Sequence, residues 1–82
     1  MKETISHEEI RNAIAEIYNS FYRSNRHQGR RRTLAEWEKI NQEVEQILKK
    51  YDSIFVEKIL EAFIEEFMRE DLEFKEKVVD KL

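Results

Sequence analysis

The sequence predicts an all-α protein, a small three- to four-helix bundle running up-down-up with a short C-terminal helix. Three observations carry this. The chain has no proline and one glycine, Gly29, so the residues that punctuate sheets and turns are nearly missing. Two capping boxes, Ser6 with Glu9 and Thr33 with Glu36, mark helix starts. Apolar residues recur in steps of three and four behind each of them. With 82 residues there is room for one domain, spanning 1–82. Hydrophobic and charged residues each make up 40%, which suits amphipathic helices and argues against disorder.

Helix one is expected over about 6–24. Ile10, Ala13, Ile14, Ile17, Tyr18 and Phe21 form its apolar stripe, and Asn25 or Gly29 is the candidate left-handed residue that closes it. Helix two is expected over about 33–51, where Trp37, Ile40, Val44, Ile47 and Tyr51 share a seam. A break after Tyr51 is inferred from phase, with one bent helix paired with a second chain as the competing reading. The face centred on Ile40, Val44 and Ile47 lies roughly 120° from the face centred on Phe55, Ile59 and Phe63, so one straight helix could not present both to the same neighbour. Asp52 or Ser53 can cap the new helix.

Helix three is expected over about 53–69. Phe55, Val56, Ile59, Leu60, Phe63, Ile64, Phe67 and Met68 cover an arc of about 220°, twice the stripe of an ordinary surface helix. That arc predicts more neighbours than one intrachain helix supplies, and so a homodimer with Phe55, Ile59, Phe63 and Phe67 as its interaction face. A short fourth helix over about 72–81, carrying Leu72, Phe74, Val78, Val79 and Leu82, is expected to cover part of helix three.

Charge is unevenly distributed. Arg23, Arg26, Arg30, Arg31 and Arg32 fall in a loop placed at 23–32 that contains no acid, while the chain as a whole carries −3. Arginine forks match phosphate oxygens, so this loop is the candidate anion- or partner-binding site. Tyr18 and Tyr22 nearby are candidates for stacking on bases. The competing expectation is internal. In an up-down-up bundle the loop adjoins Glu65, Glu66, Glu70, Asp71 and Glu73 at the far end of helix three, and pairing with these acids is slightly favoured.

Catalytic chemistry has little to work with. The two histidines, His7 and His27, stand in no metal-ligand pattern, and Arg23 and His27 lack the spacing of the arginine–histidine pair in helical ribonucleases. Glu57, Glu61 and Glu65 form a row at four-residue spacing, best explained as a solvated helix face. There is no cysteine, which excludes disulfides and thiolate chemistry. No catalytic residue, metal or cofactor is expected, and no enzymatic activity. No apolar run is long enough to cross a bilayer, and Met1-Lys2-Glu3 leads into capping residues, so a soluble, cytoplasmic protein is expected. The function expected is a helical protein–protein interaction or regulatory module, self-associating or bound to another protein. The alternative is a small nucleic-acid-associated regulator using the loop 23–32.

Overall fold

The computed structural model describes the backbone of residues 1–80 and the side chains of residues 1–74. It is all-α. Helix α1 occupies residues 7–25 as three contiguous stretches: α-helical His7–Glu16, π-helical Ile17–Tyr22 and α-helical Arg23–Asn25. Helix α2 is Leu34–Tyr51 and helix α3 is Ile54–Asp80. Among the described residues no helix is long and apolar enough to cross a membrane.

Both capping boxes form. Ser6 Oγ accepts from the Glu9 amide at 3.1 Å, and Glu9 accepts in return from the Ser6 amide at 3.3 Å. Thr33 and Glu36 repeat the exchange at 3.2 and 2.8 Å. Each box satisfies two backbone donors that a helix start would otherwise leave without partners.

Asp52 and Ser53 divide the work at the next junction. Asp52 takes the left-handed conformation (φ 46°, ψ 56°), and its amide donates to the Leu48 carbonyl at 2.7 Å, which closes α2. Ser53 is fully buried, and its carbonyl accepts the first bond of α3, from Glu57. The N-terminal residues fasten this turn. Lys2 donates its amide to the Asp52 carbonyl at 2.8 Å and accepts from the Ile54 amide at 3.0 Å, a single parallel bridge to Ser53. Ile5 packs against the core just beyond.

Two boundaries differ from expectation. The separate fourth helix is absent: α3 continues through residues 70–72 without interruption to Asp80. Nothing in the sequence there breaks a helix, and Ile64, Met68 and Leu72 keep a regular four-residue step. The side chains of Val78, Val79 and Leu82 lie outside the described residues. At the end of α1, neither Asn25 nor Gly29 acts as a left-handed cap. Arg26 turns directly to extended backbone (φ −62°, ψ 154°), and Gly29 takes its positive φ of 82° out in the loop.

The core joins Ala13, Ile17 and Phe21 of α1, Ile40, Ile47 and Tyr51 of α2, and Val56, Leu60 and Phe67 of α3. The π-helical stretch explains how α1 contributes along its whole length. Residues four apart advance by 40° at each step of an α-helix, so a row spaced by four drifts off the core. The wider π turn, bonded i to i+5, offsets that drift, and Ile17, Phe21 and Asn25 all stay buried. Phe21 meets Phe67 at 5.9 Å between centroids and the edge of Phe63 at 6.4 Å. Both contacts lie in the range that favours aromatic pairs.

The wide apolar arc of α3 is now accounted for. Its centre, Val56, Leu60 and Phe67, is buried, while one flank (Phe55, Ile59, Phe63) is half-buried and the other ends in exposed Met68 and Leu72.

Candidate functional site

The five arginines expected in one loop at 23–32 have different environments. Arg23 is not in the loop but in the last turn of α1, because the helix runs on to Asn25. Arg32 is buried, with only 4% of its side chain exposed. A guanidinium has five N–H donors, and here each has an acceptor. Nε and Nη2 donate to the Asn25 carbonyl at 3.0 and 2.9 Å. Nη1 donates to the Phe67 carbonyl at 3.0 Å and to Asp71 Oδ1 at 3.1 Å. The second Nη2 donor goes to Glu70 Oε1 at 2.9 Å. The plane also lies over the Phe67 ring, 4.1 Å from its centroid, with Trp37 at 5.9 Å. Arg32 therefore caps α1, where the left-handed residue was expected, and ties that end to α3.

Asp71 completes the junction. One oxygen takes the Arg32 amide as well as its side chain, and the other takes Trp37 Nε1 at 3.0 Å. Beside it, the buried Asn25 donates to the Phe21 carbonyl at 2.8 Å and to Glu43 at 2.6 Å, and accepts from Lys39 at 3.1 Å. One loop residue and two helix ends are thus held by a network whose buried polar side-chain atoms all have partners among the described residues.

Arg30 is exposed and forms a two-pronged pair with Glu36, at 2.8 and 3.2 Å. Arg30, then the Thr33 amide, holds the Glu36 carboxyl down at about 2. The acids facing the loop were expected at the end of α3; Arg32 does meet Glu70 and Asp71 there, whereas Arg30 turns to α2. Arg23, Arg26 and Arg31 are exposed and pair with no carboxylate among the described residues.

These three fall into two places. Arg23 and Arg26, with Tyr22, His27 and Gln28, surround an open polar hollow of about 570 Å³. Next to it Tyr22 stacks between Phe67 (6.2 Å, 12°) and Tyr18 (5.6 Å, 24°), and Tyr18 is 53% exposed at the outer end of the stack. Arg31 sits across the loop, on the rim of a second cleft of about 300 Å³ whose walls are Trp37, Met68, Asp71 and Leu72.

The face drawn from α3 in the sequence is only partly at the surface. Phe67 lies fully buried beneath Arg32, so it belongs to the core and not to an outward surface. Phe55, Ile59 and Phe63 are half-buried. The large apolar side chains most open to water lie on the opposite flank, with Met68 at 52% and Leu72 at 55%, and with Leu34 at 76% one turn before Trp37. Met68 and Leu72 were visible as members of the α3 pattern, but nothing in the sequence said which flank of the arc would stay uncovered.

His7 and His27 are exposed, and His27 lies 5.5 Å from the Phe74 ring. Glu61 of the acidic row pairs with Lys58 at 3.6 Å. Among the described residues no group of three or more His, Asp or Glu side chains is placed to hold a metal ion. At the opposite end of the molecule, Lys50, and to a lesser degree Tyr51, lowers the Glu16 carboxyl against the effect of burial, while burial raises the Tyr51 hydroxyl. No protein family, curated protein or solved structure matches this chain.

Proposed function

We propose that the protein is a non-catalytic, cytoplasmic interaction module that regulates by binding, and that it works as a homodimer through the face formed by Leu34, Trp37, Met68 and Leu72. The observation that supports this is the cleft itself. Tryptophan, methionine and arginine are enriched at interface centres, and here Trp37 and Met68 line an apolar recess with the unpaired Arg31 on its rim. A two-fold arrangement of antiparallel α3 helices sets Leu72 of one copy against Ile64 of the other. It also brings Arg31 towards the exposed Glu61 and Glu65 of the partner's acidic row, which complements its charge.

Sedimentation equilibrium at micromolar concentration tests the reading. A dimer is expected, and Met68→Glu with Leu72→Glu should give a monomer whose helical circular dichroism is unchanged, because both positions are exposed. A wild-type chain that stays monomeric at high concentration would sink the homodimer.

A further inference from the structure

We propose that the hollow lined by Tyr22, Arg23, Arg26, His27 and Gln28 binds single-stranded nucleic acid, with the two arginines on neighbouring phosphates and the open face of Tyr18 on a base. This site is separate from the Trp37 cleft. Of the five arginines, Arg32 has every donor satisfied inside the fold and Arg30 is paired with Glu36. Arg23 and Arg26 pair with no carboxylate among the described residues, and they converge on one recess.

Basic residues near a helix C-terminus commonly serve only to offset its partial negative charge. In this molecule that task is already filled, because Arg32 donates twice to the Asn25 carbonyl and Asn25 Nδ2 to that of Phe21. Arg23 and Arg26 are left over for an external anion.

The aromatic stack supplies the second half of the site. Tyr22, itself stacked on Phe67, covers the inner face of Tyr18, and Tyr18 is otherwise open to solvent. An unpaired base has such a face to offer, whereas a base in a duplex has both faces covered. Duplex binding has no support elsewhere in the chain, since α2 opens with Glu36 and Glu38 and α3 is acidic, so neither suits a groove. Those acids also repel a long strand, which limits the site to about two phosphates and makes it strongly salt-sensitive.

The test is an anisotropy titration of a labelled oligouridine with the full chain at low salt. Binding is expected, with log affinity falling against log salt with a slope of about −1.4 for two contacts. Arg23→Gln with Arg26→Gln should abolish it, and Tyr18→Ala should weaken it about tenfold. Arg30→Gln should leave it unchanged. All these side chains are exposed, so circular dichroism and the sedimentation behaviour should match the wild type. Absence of binding at low salt, equal affinity for a hairpin duplex, or full binding by the double variant would each overturn the proposal.

Discussion

Arg32 is bound to Phe67 twice over: its guanidinium donates to the Phe67 carbonyl at 3.0 Å and lies 4.1 Å above the same residue's ring. Backbone and side chain of one α3 residue are thus gripped by one side chain from the loop. The ring covers one face of the cation, and the carbonyls of Asn25 and Phe67 with the carboxylates of Glu70 and Asp71 ring its edge. Burying a charge is tolerable only with compensation of this completeness.

Arg32→Ala should therefore cost about 3–5 kcal/mol, the range for breaking a buried pair and leaving its partners behind. Arg32→Lys should recover only part, because an ammonium has three donors and no plane to lay on a ring. Urea denaturation of both variants measures this. A loss below about 1 kcal/mol for Arg32→Ala, as for an exposed pair, would show that the network is not what holds this end together.

Asp52 offers a gain of stability. It is the one non-glycine residue with positive φ among those described, and the left-handed region costs an L-residue about 1–2 kcal/mol, less for Asp. Asp52→Gly should raise stability by up to about 1 kcal/mol, and Asp52→Val should lower it. The amide and carbonyl that bind Leu48 and Lys2 are kept in both, and both lose the exposed 3.9 Å pair of the Asp52 carboxylate with the Met1 amino group. The difference between the two variants in thermal melting therefore isolates the backbone effect.

Acid should weaken the start of α2 at a defined place. Glu36 is depressed from an ordinary carboxyl value near 4.5 to about 2 by Arg30 and the Thr33 amide. A depressed folded-state value means stability that is present above about pH 4.5 and is lost as pH falls through about 2. Glu36→Gln, which keeps the reciprocal capping bond, should flatten the melting temperature over that window while leaving the neutral-pH helix content alone. An unchanged acid limb in that variant would refute the assignment.

The local features of the fold were legible, and their legibility has a physical reason. A capping box is made by residues three apart, and an apolar stripe by residues three and four apart, so both are written within a single turn. The break at Asp52 could be inferred from the phase of Val44 against Ile59 although no glycine marks it. What could not be read depends on partners distant in sequence. Arg32 is thirty-five residues and more from Phe67 and Asp71, and only the folded chain singles it out from Arg30 and Arg31. The same holds for Lys2 on Asp52, where two backbone groups meet and no side-chain pattern announces it. The continuous α3 differs from expectation although nothing in the sequence at 70–72 breaks a helix, and Glu70 and Asp71 there are the mid-helix anchor for Arg32.

The π-helical stretch makes α1 a helix whose spelling is one letter long for its shape. Removing a single residue between Ile17 and Tyr22 would leave a sequence just as helical, and a regular α-helix would form through it. Everything downstream would keep nearly its present direction, because four steps of a regular helix turn the chain about as far as five steps of the wider one. Asn25 would still present its carbonyl to Arg32, and its side chain to Glu43 and Lys39. A deletion of one residue there would be absorbed, whereas the same deletion inside Leu34–Tyr51 would turn one end of α2 by about 100° against the other.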